Sequence, residues 1–218
     1  MYILILGSTG RTGRLLLTEA LKRGHKVNVL VSHKSRLTVK PELVSAFEGT
    51  PLNKYTLSES MQGCEAILST LNISRTSDFP WAKLRTSTDF LSLSMKNIIG
   101  VAEEQKVNRI IITTAWGVAE TQKDIPFWFR LLIRYSNIRY PYRDHELQEE
   151  LLKHSELDYT VVRPVGLTDQ HNKKKIQVSL DNTPKPTLTI SRLHTANFML
   201  DILENNLYNR QAPVISEV

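Results

Sequence analysis

The fold is decided near the beginning of the sequence, in the stretch Tyr2-Ile3-Leu4-Ile5-Leu6-Gly7-Ser8-Thr9-Gly10-Arg11-Thr12-Gly13-Arg14. An apolar run of strand length precedes Gly7, and the apolar residues that follow Gly13 recur at helical spacing. The stretch therefore predicts a strand, a glycine-rich turn and a helix. A second apolar run, from Val27 to Val31, predicts another strand directly after that helix.

The three glycines have separate uses in a turn of this kind. Gly7 permits the sharp turn, Gly10 lets a diphosphate approach the backbone, and Gly13 lets the helix pack close to the strand. The helix N-terminus offers N–H groups and a partial positive charge to a phosphate. We therefore expect a bound dinucleotide, although a tight turn without a ligand is the alternative reading. The residues expected to contact the dinucleotide here are Gly7, Thr9, Gly10, Arg11, Thr12 and Gly13.

The spacing Gly-x-x-Gly-x-x-Gly resembles that of atypical short-chain dehydrogenases/reductases. The string Gly-Ser-Thr-Gly-Arg-Thr-Gly is similar to the branch that contains NADPH-dependent flavin reductase/biliverdin-IXβ reductase and the NmrA-like proteins. The likeness recurs at Thr113-Thr114-Ala115-Trp116-Gly117, at Asp144-His145 and from Leu157 to Pro164, so it covers nearly the whole chain. The resemblance implies a Rossmann-type α/β fold, a doubly wound parallel sheet in three αβα layers.

Length and composition agree with one globular unit. The 218 residues are 41% hydrophobic and 23% charged, which predicts a single domain, residues 1–218, whose part from about 165 to 218 covers the substrate side. The single cysteine, Cys64, excludes an internal disulfide, and no apolar run has the length of a membrane span. Because a strand follows Met1 directly, we expect no targeting segment and a cytoplasmic protein.

The charge balance favours anionic ligands. Lys plus Arg exceed Asp plus Glu by 28 to 22, which gives a formal charge of +6. The sequence shows no zinc-ligand cluster, no helix-turn-helix signature and no aromatic RNA-binding motif. We therefore expect no metal, no specific nucleic-acid partner and no membrane partner, and a monomer or a homodimer.

The residues after the second strand predict the form of the cofactor. An NAD-binding site places an acidic residue there to hold the ribose hydroxyls, but this segment reads Ser32-His33-Lys34-Ser35-Arg36. Cations and hydroxyl groups suit a 2′-phosphate. The sequence therefore favours NADP(H), held by Ser32, Lys34 and Arg36, and Arg11 adds to this in the family's pattern. A solvated basic loop is the alternative.

Other cofactor contacts follow from the carboxyl ends of later strands and from the resemblance. Thr70 and Leu71 end a buried strand, and ligands of doubly wound sheets lie beyond such ends. Relatives carry Asp where this chain has Thr50, so the usual contact with the adenine amino group is in doubt, while Leu52 is suited to flank the adenine. The resemblance places Thr113 at a strand end and the backbone around Pro164 and Val165 near the nicotinamide carboxamide.

The catalytic positions of the classical dehydrogenases are changed. Ala115 stands at the position of the substrate-binding serine, and the Tyr-x-x-x-Lys pair falls on Pro141 and His145. Thr114 and Tyr142 keep hydroxyl groups nearby. His145 is the best protonatable candidate, because histidine titrates near neutrality and the reductase branch has histidine there. A structural histidine that packs or caps its helix is the alternative.

An aromatic and basic stretch lies between these positions. Residues Ile125 to Arg134 are expected to form a wall over the nicotinamide that accommodates a flat acceptor, a dimer patch or plain core. Long helices are predicted from Arg85 to Gln105 and from Tyr142 to His154 by their apolar spacing. The basic side chains that either meet an acidic acceptor or form a solvated face are Arg130, Arg134, Arg139 and Arg143.

Three functions remain after this reading. The first is an NADPH-dependent reductase of a small conjugated acceptor, of flavin or quinone type, by direct hydride transfer. The second is a non-catalytic NADP(H)-binding redox sensor of NmrA type, which Ala115 and the missing tyrosine–lysine pair favour. The third is a nucleotide-sugar epimerase or dehydratase, which is disfavoured because such relatives are longer and keep the tyrosine and lysine.

Overall fold

The computed structural model describes residues 1–170 and 174–218. The strands are β1 (Tyr2–Leu6), β2 (Lys26–Val31), β3 (Ser45–Glu48), β4 (Ala66–Ser69), β5 (Arg109–Thr113), β6 (Asp158–Pro164), β7 (Gly166–Thr168), β8 (Ile176–Ser179), β9 (Thr189–Ser191) and β10 (Val214–Glu217). The helices are α1 (Arg11–Lys22), α2 (Lys54–Met61), α3 (Phe90–Gln105), α4 (Phe127–Tyr135), α5 (Arg139–Lys153) and α6 (Arg192–Asn205).

The main sheet has the order β3-β2-β1-β4-β5-β6-β10-β8. Its strands are parallel except for β8, which runs antiparallel to β10. Strand β1 lies between β2 and β4, so the chain winds outward in both directions from this point. The predicted doubly wound sheet is confirmed, and its order reverses where β1 and β4 meet, which is where such folds bind ligands.

Both faces of the central strands are buried. Ile3 and Ile5 of β1 belong to the core that includes α1 and α6, while Leu4 and Leu6 face the core that includes α2 and α3. A strand covered on both sides needs apolar residues at every position rather than at alternate ones. This requirement explains the continuous apolar run at the beginning of the sequence.

Helix α3 begins later than its apolar spacing predicts. It starts at Phe90 instead of Arg85. The buried carboxylate of Asp144, on α5, accepts hydrogen bonds from the backbone N–H groups of Leu91 at 2.6 Å and Ser92 at 3.1 Å. This contact satisfies free donors of the first turn from a distant part of the chain. Helix α5 also differs from the prediction, since it begins at Arg139 and ends at Lys153.

Residues 74–86, which precede α3, fold back on themselves, and we call them the 74–86 hairpin. The backbone N–H of Thr76 donates to the carbonyl of Lys83 at 2.9 Å. In the turn of the hairpin, the indole N–H of Trp81 donates to the carbonyl of Tyr135 at 3.0 Å. In the same turn, Asp78 accepts both guanidinium N–H bonds of Arg11, at 2.7 and 2.8 Å. The hairpin thus connects the first turn of α1 with the end of α4.

The C-terminal part closes the sheet. Strand β10 pairs with β6, and Ser191 caps α6, because its hydroxyl accepts from the His194 N–H at 3.0 Å. The buried carboxylate of Glu217 accepts from the Ser191 N–H at 2.6 Å. Within residues 1–170 and 174–218, none of the helices has the length and apolar character needed to span a membrane.

Candidate functional site

The glycine turn after β1 is fixed by a close approach of backbones. Gly7 has φ +82°, and a Cβ on Gly13 would lie 2.0 Å from the carbonyl oxygen of Gly7. The Thr70 hydroxyl, at the end of β4, is 3.3 Å from the Leu6 carbonyl and 3.4 Å from the Gly7 carbonyl. Gly7 and Gly13 are therefore required by the protein's own packing, and Thr70 supports the turn from behind through its side chain.

Gly10 is different, because the protein's packing does not require it. Its φ of −76° is open to any residue, and a Cβ there would meet only the Gly7 carbonyl, at 3.3 Å, within 4 Å. Helix α1 begins at this glycine without a side-chain cap and without an acidic residue in its first turn. The first N–H groups of the helix, from Arg11 onward, consequently face an open space. This arrangement fits a diphosphate on the backbone, as the sequence predicts.

The adenosine side predicted from the sequence lies at the ends of β2 and β3. Ser32, Lys34 and Arg36 are exposed there, as a 2′-phosphate contact requires. The pairing of Val31 with Glu48 brings a carboxylate to the same place, where Glu48 is 3.4 Å from the Lys34 backbone N–H. Sequence reasoning missed this acid because it lies on the neighbouring strand. The register of two parallel strands that end together was the available signal.

Arg11 is placed differently from its predicted role at the 2′-phosphate. Its guanidinium forms a two-bond ion pair with Asp78 of the 74–86 hairpin, and both side chains are largely exposed. The hydrogen bonds from Arg11 hold the pKa of Asp78 below its usual range, with smaller contributions from Arg192 and Arg75. No local sequence pattern indicates this contact, because 67 residues separate the two partners.

The residues predicted for the nicotinamide side lie where β5 and β6 end. The backbone N–H of Trp116 donates to the Pro164 carbonyl at 3.0 Å, so the two predicted segments lie together. Leu71 follows Thr70 at the end of β4, and Thr113 ends β5 beside them in the sheet. Val165 is buried, and its N–H donates to the Ile215 carbonyl at 3.2 Å. The carboxyl ends of β4, β5 and β6 thus border one crevice.

Tyr142 is the predicted catalytic residue that reaches this crevice. Its hydroxyl donates to the Trp116 carbonyl at 3.2 Å, and its ring lies against Gly117, where φ is +99°. Burial raises the pKa of Tyr142, so the phenol stays protonated at neutral pH. The hydroxyl is therefore a permanent hydrogen-bond donor at the edge of the site.

Thr114 directs its hydroxyl away from the crevice. It donates to the Glu149 carboxylate at 2.7 Å, in a buried cluster that Glu149 shares with Arg163. Arg163 also pairs with Glu120, which belongs to the turn after Trp116. Burial lowers the pKa of Arg163, but its hydrogen bonds to both glutamates outweigh this and keep it charged. The sequence analysis missed this cluster because its members are far apart in the sequence.

His145 is enclosed by protein. The side chain is 3% exposed, and its Nδ1 lies 3.1 Å from the Gln148 amide oxygen. Burial lowers its pKa, which favours the neutral imidazole. The preceding residue, Asp144, caps α3. This geometry favours the structural reading of His145 that the sequence analysis left open.

Helix α4 presents aromatic side chains at the surface. Phe127 and Trp128 are 69% and 63% exposed, whereas Ile125 and Ile133 are buried. The ring of Phe129 contacts that of Tyr142 edge-on at 6.3 Å between centroids. The predicted aromatic wall therefore has an inner part next to Tyr142 and an outer part open to solvent.

Comparison with known proteins identifies the family. A family model described as NAD(P)H-binding matches residues 7–206. An oxidoreductase of Pestalotiopsis microspora is 24% identical over an alignment of 180 residues that covers 75% of this chain and 66% of that protein. The match thus spans just under two thirds of that relative.

Solved structures share the fold. ChuY of Escherichia coli O157:H7, described as an anaerobilin reductase, has a TM-score of 0.82 at 20% identity, over 100% of this chain and 97% of that one. A short-chain dehydrogenase/reductase of Veillonella parvula in complex with NADP has a TM-score of 0.80 at 18% identity, over 99% and 94%. The resemblance inferred from the sequence is confirmed.

Two glycine substitutions separate cofactor binding from packing. Gly10→Ala adds a methyl group on the open side of the turn, so we expect nearly native stability and a loss of NADPH affinity of about tenfold or more. Gly13→Ala places the methyl group against the Gly7 carbonyl, and we expect destabilisation of about 2 kcal/mol or more as well. Urea unfolding and fluorescence titration with NADPH measure both. Native NADPH affinity in Gly10→Ala would contradict the assignment of the diphosphate site.

His145 is expected to make folding sensitive to acid. The unfolded imidazole takes up a proton near its ordinary pKa of about 6.5, while burial in the folded protein opposes this. The wild type should therefore lose stability relative to His145→Gln as the pH falls from 7.5 to 5, as measured by urea unfolding. The exposed histidine variant His154→Gln is the control. A difference that does not change with pH contradicts the structural reading.

Proposed function

The chain belongs to the NAD(P)H-binding family, and we propose that it is an NADPH-dependent reductase of a small conjugated acceptor, of flavin or quinone type. The observation that carries the proposal is that the hydroxyl and imidazole groups at the acceptor side already have partners within the protein. Thr114 donates to Glu149, His145 is buried against Gln148, and Tyr142 donates to a backbone carbonyl. An acceptor that needs no proton relay from the protein suits this site best.

Cofactor binding rests on three regions. The amides at the beginning of α1 hold the diphosphate, and Lys34 and Arg36 attract the 2′-phosphate. The backbone near Pro164 and Val165 lies at the carboxyl end of β6, where the nicotinamide carboxamide belongs in the family's pattern. NADPH, when bound there, supplies a hydride to the acceptor.

The protein's part in the reaction is positioning and exclusion of water. The turn from Trp116 to Gly117 is held by Tyr142 and by the buried Arg163 cluster through Glu120, so the acceptor side has a rigid floor. The aromatic side chains of α4 supply flat apolar surface for a conjugated ring. The proton that completes the reduction comes from solvent, since a conjugated acceptor spreads the negative charge that the hydride brings.

The first experiment is a turnover screen. Purified protein is mixed with NADPH and FMN, FAD, riboflavin, a soluble quinone or a linear tetrapyrrole, and absorbance at the nicotinamide band is followed. We expect oxidation of NADPH that depends on at least one acceptor. The tetrapyrrole is included because ChuY is described as an anaerobilin reductase. Binding of NADPH and NADP⁺ with similar affinity, without any turnover, favours the sensor of NmrA type instead.

The 2′-phosphate assignment has its own test. Lys34→Ala and Arg36→Ala should each lower the affinity for NADPH by about fivefold or more and leave the affinity for NADH nearly unchanged, because each removes a cation near the extra phosphate. Glu48→Gln removes the neighbouring carboxylate and should raise the affinity for NADPH relative to that for NADH. Fluorescence titrations with both nucleotides measure the ratio. Equal losses for NADPH and NADH in the lysine and arginine variants would show that the assignment is wrong.

A further inference from the structure

A basic pocket lies beside the diphosphate site, between the beginning of α1 and the beginning of α6. It is a cavity of about 330 Å³ whose lining includes Arg11 and Arg14 of α1, Arg192 of α6, and Thr168 and Asp169 after β7. Neither helix has an acidic residue in its first turn. The uncapped N-terminus of α1 and three guanidinium groups therefore border the same space, which favours an anion.

Two of the arginines that line the pocket form ion pairs with exposed carboxylates. The Arg192 side chain is only 9% exposed, and its partner Asp169, at 2.7 Å, is 68% exposed. Arg11 is paired with Asp78, which is 74% exposed. An exposed carboxylate is bound weakly, because water competes for it and its side chain loses freedom in the pair. An acidic group of a ligand can take its place.

Asp78 indicates where such a group binds. It comes from the 74–86 hairpin, and the arginines that stabilise its charge belong to both sides of the pocket, Arg11 first and then Arg192. The chain thus pairs one of its own carboxylates with an arginine that lines the cavity. A carboxylate or phosphate of similar size, on a ligand that enters from the acceptor side, would meet the same donors.

We propose that the pocket of Arg11, Arg14 and Arg192 binds an acidic group of the acceptor, a phosphate or a carboxylate, in exchange for Asp78. The proposal rests on the proposed reductase function and names the class of its acceptor. The diphosphate of the dinucleotide uses the backbone amides of the glycine turn, whereas the pocket takes its other walls from β7 and α6. These elements belong to the region expected to cover the substrate side.

The test uses inorganic phosphate and protein saturated with NADP⁺, so that the diphosphate site is filled. Binding is followed by ³¹P NMR line broadening. We expect phosphate to bind, and its dissociation constant to rise about tenfold in Arg192→Met and less in Arg14→Gln. Asp78→Asn should lower the dissociation constant for phosphate about two- to fivefold. A purely structural role of the ion pair does not produce such a gain in affinity. The control Lys96→Met removes a cation from α3, on the opposite face of the sheet, and should change nothing.

Turnover with FMN and riboflavin, which differ by one phosphate, gives a second readout. Arg192→Met should lower kcat/KM for FMN about tenfold and leave riboflavin nearly unchanged. Three results overturn the proposal: no phosphate binding to the saturated protein, equal binding by wild type and both arginine variants, or loss of NADP⁺ affinity in Arg192→Met. The last result assigns the pocket to the dinucleotide. The phosphate titration does not depend on turnover. Failure of the reductase assay would therefore contradict the proposed function without deciding whether the pocket binds an anion.

Discussion

The contact between the Gly13 backbone and the Gly7 carbonyl is the constraint on which the rest of the structure depends. It brings α1 against the end of β1 so closely that no side chain fits between them. Because Thr70 supports the same carbonyl from β4, the turn is fixed at the point where the strand order reverses. The amides of α1 consequently point into the crevice between β1 and β4, and Gly10 keeps that side of the turn open.

Around this turn, the site divides into parts of different rigidity. The floor on the acceptor side is tied to the sheet through the buried Arg163, Glu149 and Glu120, a cluster whose charges are paired and therefore retained inside the protein. The adenosine side consists of exposed cations with Glu48 beside them. Under the proposed function, buried groups would position the reactive ring, and exposed cations would distinguish NADPH from NADH.

Local patterns predicted the fold well, and long-range contacts explain where they failed. Strand β1, the glycine turn and the cap at Ser191 depend on neighbours in sequence, so they could be read directly. The beginning of α3 could not, because its cap is Asp144 from α5. The direction in which a side chain points at the site could not be predicted from the sequence either. Thr114 turns its hydroxyl to Glu149, and His145 turns inward, since the faces of β5 and α5 are set by packing that spacing alone does not reveal.

The turn of the 74–86 hairpin is attached to the rest of the protein by two kinds of contact. Hydrogen bonds from the Trp81 indole and from the Asn137 amide join it to the end of α4 and the segment that follows. The Arg11–Asp78 pair, which joins the same turn to α1, is open to solvent, so dissolved salt weakens it. Concentrated electrolyte is therefore expected to loosen the contact with α1 more than the contact with α4.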